Sequence, residues 1–228
     1  MIKSVAIIPC YNEEKTIGGI IQSLFTYVDK VIVVDNKSLD QTAKVASDAG
    51  AWVCECHQKG MGIALKTGLD FVHFLNLQPE IYVMLDGDGQ HVPSDVPKLI
   101  DSIENGADVA IGVRADDDSM PAYRRFGNAV IRDLTNIGGC RKVVDAQCGF
   151  RAMNQRAVRT LDIVESGFGC ITETIIKARK AGLKIAEVPV KCIYHPNIRD
   201  NSTLNPIKHG IIVALKTVRW RIWEHTGI

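Results

Sequence analysis

The stretch Met84-Leu85-Asp86-Gly87-Asp88-Gly89-Gln90-His91 has the most chemically suggestive spacing in the chain. Two carboxylates two residues apart, leaving an apolar run into a turn, repel each other unless something positive lies between them. A hard divalent cation answers that need: Mg²⁺ or Mn²⁺ takes one or two carboxylates and completes its shell with phosphate oxygens and water. Gly87 and Gly89 let the backbone bend and approach a ligand closely. Asp-x-Asp is by itself an ordinary polar turn, and its place at the end of an apolar strand gives it weight. Asp35 ends a second apolar run, and Ile8-Pro9-Cys10-Tyr11-Asn12-Glu13-Glu14 leaves a third. There Tyr11 can stack on a base, and Glu13 or Asp35 can hydrogen-bond base or ribose. Equally, Asn12-Glu13-Glu14 can do no more than cap the next helix and complement its dipole. Lys59-Gly60-Met61-Gly62 is not a Walker loop, nor is it the dinucleotide fingerprint, which follows the first strand. It reads as a tight turn beside a cation. Cys54-Glu55-Cys56-His57 lacks zinc-type spacing and reads as strand residues.

Such side chains need a rigid edge to stand on. Apolar runs of strand length alternate with segments of helical period, the pattern of an α/β sheet protein. Val5–Pro9, Val31–Val34, Ala51–Glu55, Ile81–Leu85 and Asp108–Val113 read as strands. Ile17, Ile20, Ile21, Leu24 and Val28 mark one helical face, entered through Asn12 as cap. Ser38 and Gln41 have capping-box spacing for a helix that Gly50 closes. Further helical faces carry Leu65, Leu69, Val72 and Leu75, then Val96, Leu99, Ile100 and Ile103. Phe126–Ile137 and Ile171–Ala181 read as helices stopped by glycines, Lys184–Val188 as a strand and Pro196–Pro206 as a polar loop. Asp35 and Asp86 both fall at C-terminal strand ends, the edge where open α/β sheets bind ligands.

Composition narrows the class. With 228 residues and 46% hydrophobic content the chain can bury a core, and 27 Lys+Arg against 26 Asp+Glu leaves no general field for nucleic acid. Lys3, Asn12, Glu13 and Glu14 break any signal-peptide pattern, and no apolar run is long enough to span a bilayer. Seven scattered cysteines fit a reducing cytosol better than a disulfide framework. A single α/β domain over residues 1–206 is expected, followed by an amphipathic helix over 207–228. On that helix Ile207, Ile211, Leu215, Val218 and Ile222 share a face, with Trp220, Trp223, Lys208, Lys216, Arg219 and Arg221 around them. Trp and basic residues on an amphipathic helix form an interfacial pattern, although packing on the domain or a second subunit would serve as well.

Taken in order, these segments resemble the family 2 glycosyltransferases of GT-A fold, and within them the polyprenyl (dolichyl) phosphate sugar synthases. The carriers are Ile8-Pro9-Cys10-Tyr11-Asn12-Glu13, Val33-Val34-Asp35-Asn36-Lys37-Ser38-Leu39-Asp40-Gln41-Thr42, Lys59-Gly60-Met61-Gly62 with Ala64 and Gly68, and Leu85 through His91. Gly112-Val113-Arg114, Asp145 through Ala152 and the loop from Arg199 to Pro206 continue the set. The resemblance implies a Rossmann-like, mostly parallel sheet flanked by helices. It implies a nucleoside-diphosphate sugar donor, UDP or GDP, a polyprenyl or dolichyl phosphate acceptor, and Mg²⁺ or Mn²⁺ as cofactor. It also implies a peripheral position at the cytoplasmic membrane face, by direct docking or through an integral-membrane partner.

The same resemblance assigns roles. Pro9, Tyr11, Glu13, Val34, Asp35, Asp86 and Gly87 would form the nucleotide pocket; Asp86, Asp88 and Gln90 would hold the metal. Arg114, Arg124, Arg125, Asn128 and Arg199 would meet donor or acceptor phosphates. Glu173 would stand near the acceptor, as general base if that acceptor is a hydroxyl of a glycan or lipid. A phosphate acceptor needs no base and instead needs arginines to gather two negative groups. Two departures stand out: Asn36 replaces the second aspartate usual after the second strand, and Ser202-Thr203 replaces Ser-Lys in the loop.

Overall fold

The computed structural model describes residues 2–114, 122–193 and 206–226, apart from the side chains of 122–124 and 206–209. Strands β1 (Ser4–Cys10), β2 (Lys30–Asp35), β3 (Trp52–Glu55), β4 (Ile81–Met84), β5 (Val109–Arg114), β6 (Arg151–Asn154) and β7 (Ile185–Val190) form one sheet in the order β3-β2-β1-β4-β6-β5-β7. Every pairing is parallel except those of β6, which runs against β4 and β5. The C-terminal ends of β1, β2, β4 and β5 therefore share one edge, and Asp35, Asp86 and Arg114 stand on it.

Helices α1 (Ile17–Leu24), α2 (Thr42–Asp48) and α4 (Val96–Glu104) cover one face of the sheet. Helices α3 (Met61–Phe74), α6 (Gln155–Thr160) and α7 (Gly169–Lys180) cover the other. Alternation along β1 explains both cores: Ala6, Ile8 and Cys10 point to the first and Val5 and Ile7 to the second. Gly68 lets α3 lie close on β1 and β2, since an added Cβ would stand 2.5 Å from Ile7 and 2.9 Å from Val34. Helices α5 (Ala122–Asn136) and α8 (Pro206–Thr226) form a further layer, with α8 packed on α5 and α7.

Several local expectations are corrected. Asn12 does not cap α1, which begins five residues later; it lies in the left-handed region, φ 57°, and its side chain accepts from the Leu39 N–H at 2.8 Å. Ser38 and Gln41 make no capping box, because the Ser38 hydroxyl receives the Asn12 N–H at 3.0 Å. β6 has four residues and opens on a charged one, so neither length nor alternation announces it. Of the readings open for the apolar face of α8, packing on its own domain is the one the structure does not show, since Ile211 is 56%, Leu215 66% and Ile222 56% exposed. Val213, Thr217, Trp220 and Arg221 are buried instead. Among the described residues no helix is long and apolar enough to cross a membrane.

Candidate active site

Two loops build the first wall of the site. The segment after β1 and the segment after β2 are knitted by Asn12 with Ser38 and Leu39, by the Glu13 N–H on Thr42 at 2.8 Å, and by reciprocal bonds between Glu14 and the Asp40–Gln41 turn. The motif Ser38 through Thr42 thus shapes the loop that carries Asp35 and Glu13. Asp35 is buried; its Oδ2 accepts from the Ser38 N–H at 3.3 Å, and its Oδ1 has no hydrogen-bond partner. A buried carboxylate oxygen with a vacant lone pair at the sheet edge is an acceptor awaiting a hydroxyl or N–H. Tyr11 stands beside it, half-buried, with Lys59 Nζ 2.8 Å from its hydroxyl and 4.1 Å from the ring centre. Val34 belongs to the core: its side chain packs towards α3, leaving only backbone to the pocket.

The acidic turn meets this wall directly. Thr16 donates to the Gly87 carbonyl at 2.6 Å and approaches Glu13. An added Cβ on Gly87 would lie 2.6 Å from the Cys10 sulfur. Burial, and then the charges of Glu13, Asp35, Asp86 and Asp88, push the Cys10 thiol well up, so it stays neutral among four carboxylates. Asp88 Oδ1 receives the Gln90 N–H at 2.9 Å and Oδ2 the Gln90 side-chain amide at 2.7 Å. Asp86 lies against Gly149, whose added Cβ would come within 2.7 Å of its carboxylate, and Pro9 shares a small cavity with both. His91, 5% exposed and tilted on the Phe150 ring, reaches Asp86 Oδ2 at 3.7 Å. It buttresses Asp86, a role the sequence signals only by its place directly after Gln90.

The arginines divide. Arg114 makes a two-pronged ion pair with Asp145, Nε–Oδ2 2.7 Å and Nη2–Oδ1 2.9 Å, which ties the end of β5 to the 143–148 loop. Burial pushes the Asp145 carboxyl up, but the Arg114 guanidinium and the Gln147 N–H outweigh it and hold the group below the ordinary carboxylate range. Arg125 is exposed and Asn128 half-buried on the first turns of α5. Arg124 belongs to the same helix with its side chain outside the described residues; Arg199, Ser202 and Thr203 lie outside them altogether.

Glu173 is the clearest correction. Its side chain is 0% exposed and is spent on structure: it accepts from the Val164 and Glu165 N–H groups, each at 2.9 Å, and pairs with Lys177 at 2.7 Å. A carboxylate so enclosed presents no exposed oxygen to an acceptor in this structure. Arg151, in the Asp145–Ala152 segment but given no role there, is also fully buried, bonded to the Cys148 and Ile171 carbonyls at 2.9 and 2.8 Å. The Gly60 and Gly62 positions are explained as well. The Ser166 carbonyl receives the Gly62 and Ile63 N–H groups at 3.0 and 3.2 Å, so the start of α3 is closed by backbone. Side chains at Gly60 and Gly62 would collide with the carbonyls of Ser166 and Glu165.

The residues present suit a hard cation. Asp86, Asp88 and the Gln90 amide are oxygen donors at one turn, and among the described residues no group of three or more His, Cys, Asp or Glu is gathered. Mg²⁺ sites completed by substrate phosphates ask for only one or two protein carboxylates.

Comparison with known proteins agrees with this geometry. The description "Glycosyl transferase family 2" matches residues 5–162. A UDP-N-acetylglucosamine–dolichyl-phosphate N-acetylglucosaminyltransferase of Methanococcus voltae is 32% identical, over 82% of this chain and 84% of its own. A dolichol-phosphate mannosyltransferase of Pyrococcus furiosus is 28% identical over 82% of this chain and 56% of its own. Glucosyl-3-phosphoglycerate synthase of Mycobacterium tuberculosis, solved with Mn²⁺, UDP and glucosyl-3-phosphoglycerate, superposes with a TM-score of 0.72 at 21% identity, covering 98% of this chain and 80% of that one. The α/β architecture is that of the GT-A glycosyltransferases. With the family pattern matching more than half of its length and a relative 32% identical over most of both chains, the chain belongs to glycosyl transferase family 2 and is a glycosyltransferase.

Proposed function

We propose that this enzyme moves a sugar from a nucleoside-diphosphate sugar to a polyprenyl phosphate, inverting the anomeric centre, with Mg²⁺ or Mn²⁺ bound. The observation that carries the donor half is the buried, unpartnered Asp35 oxygen beside Tyr11 and the Asp86–Asp88 turn. Asp35 accepts from base or ribose, Tyr11 stacks on the base, and Glu13 closes the same wall. Asp88 and Gln90, with Asp86, hold the cation, which when bound supplies charge neutralisation for the leaving diphosphate.

The acceptor half is supported by what Glu173 does. A hydroxyl nucleophile needs a base, and the acid expected to supply it is enclosed by backbone N–H groups and Lys177. A phosphate monoester is already an anion at neutral pH and needs only cations to bring it against the donor. Arg125, together with Arg124 and Arg199, is proposed for that task, while Arg114 keeps the 143–148 loop in place through Asp145. Two relatives whose names specify dolichyl or dolichol phosphate support the same acceptor class. The outward stripe of α8 is proposed to rest on the membrane surface, which would hold the prenyl tail close to the site.

The test is transfer from a panel of UDP- and GDP-sugars to a polyprenyl phosphate with Mg²⁺ or Mn²⁺. A lipid-linked product from one donor, lost by at least a hundredfold in Asp88→Ala, is the expected result. Donor turnover without any lipid product, but with product on a hydroxyl acceptor, would overturn the acceptor assignment.

A further inference from the structure

Two buried carboxylates, Glu165 and Glu173, take no part in the chemistry at the sheet edge. With Lys177, Lys216 and Trp220 they form a polar junction between α7, α8 and the 162–166 segment. Glu165 is 7% exposed, and both its oxygens are taken by α8: Oε2 by Lys216 and Oε1 by the Trp220 indole N–H at 3.2 Å. Its own N–H is held by Glu173, whose other oxygen holds Val164, while Lys177 lies 4.9 Å over the Trp220 ring.

The opposite side of this segment presses on the donor wall. The Ser166 carbonyl takes the first N–H groups of α3, and Gly60 and Gly62 have no room for side chains beneath residues 165 and 166. Gly60 is joined to the Asn36 amide by two bonds of 3.2 Å, N–H to Oδ1 and Nδ2 to carbonyl, and Asn36 follows Asp35. Lys59, one residue earlier, is bonded to the Tyr11 hydroxyl. A displacement of residues 165–166 therefore has no slack to absorb it before it reaches Lys59, Asn36 and Tyr11.

We propose that Glu165 is a positioning residue that transmits the seating of α8 to the Lys59–Gly62 turn, and so sets the donor pocket's affinity for nucleotide. The proposal rests on the assignment of the Tyr11–Asp35 wall as the donor pocket. It explains the departure at Asn36, whose amide offers both the donor and the acceptor that Gly60 requires, where a carboxylate offers only acceptors. It also explains why a carboxylate, costly to bury, joins two elements that apolar contact alone could hold: the ion pair fixes a position as well as an area.

The experiment measures UDP and GDP binding with Mn²⁺ by calorimetry, donor KM and kcat, and thermal midpoints. The proteins are wild type, Glu165→Gln, Lys216→Met, the double variant and Lys216→Arg. Lys66→Ala is the control, since it breaks only the exposed pair with Asp162 on the same segment. The expected result is a nucleotide Kd and donor KM raised about tenfold in Glu165→Gln and Lys216→Met, with kcat at saturating donor little changed. The double variant should be no weaker than either single one, Lys216→Arg should restore binding and Lys66→Ala should bind as wild type. Lys216→Met reads the same link should Glu165→Gln not fold. Lowered thermal midpoints with wild-type nucleotide binding would make the junction purely structural and overturn the proposal. Failure of wild type itself to bind either nucleotide would instead remove the donor-pocket reading on which it stands.

Discussion

Asp35 holds one carboxylate oxygen against the Ser38 N–H and leaves the other buried and unpartnered. Burying an unsatisfied polar group costs about 1–3 kcal/mol, a cost that a bound hydroxyl or N–H would recover. Asp35→Ala should therefore bind nucleotide about tenfold or more weakly while its thermal midpoint stays level or rises. Calorimetry and a melting curve on the same sample check this, and a lowered midpoint with unchanged nucleotide affinity would contradict it. The placement of Asp35, Asp86 and Asp88 at one sheet edge was legible in the sequence because each follows an apolar run of strand length. Arg114 and Glu173 were not legible in the same way. Their residue types suit phosphate binding and acid–base work, but the partners that occupy them, Asp145 at a separation of 31 residues and the N–H groups of residues 164 and 165, are supplied by the folded chain.

At the scale of elements, β5 is pinned at both ends by carboxylates. Asp108, just before it, is pushed up by burial, yet the Lys184 N–H, the Asn154 amide and Arg156 outweigh that and hold it low, as Arg114 does for Asp145 at the far end. Carboxyls whose folded pKa lies below the unfolded value stabilise the fold at pH above that unfolded value, near ~3.9. Their contribution is lost as pH falls through the folded values. The thermal midpoint of wild type should therefore drop on acidification below about pH 4, and more gently in Asp145→Asn, where one of the titrating groups is gone. Melting curves from pH 7 to pH 3 test the sign. The strands themselves were readable because doubly buried strands are short apolar runs. β6 escaped because its first residue is a buried arginine bonded to two carbonyls, which no hydropathy pattern distinguishes from a loop.

For the whole molecule, the orientation of α8 matters most. Its aliphatic stripe faces out, and its polar and aromatic face is buried against α7 through Thr217, Trp220 and the Glu165 junction. Trp220→Ala should cost about 3–5 kcal/mol, whereas the triple change Ile211→Ser, Leu215→Ser, Ile222→Ser should leave the thermal midpoint nearly unchanged. The triple variant should lose flotation with vesicles containing anionic lipid while keeping nucleotide affinity. Retained flotation would show that another surface meets the membrane, and a large loss of stability would show that the stripe is packed after all.

The sequence by itself determined the parallel strands, the edge that carries the acids and the family, because these depend on local periodicity and on short motifs whose members lie within a few residues of one another. Tertiary structure decided which side chains remained available at that edge. Glu173 was drawn into the backbone of a neighbouring loop, Arg114 was clamped by Asp145, and the glycines of the Lys59–Gly62 turn were claimed by a carbonyl about a hundred residues away rather than by a phosphate. It also decided which face of α8 turns inward. Hydrophobic periodicity marks an apolar face without saying what it meets; in the fold Val213, Thr217 and Trp220 are buried, Lys216 and Trp220 partner Glu165, and Ile211, Leu215, Val218 and Ile222 face out.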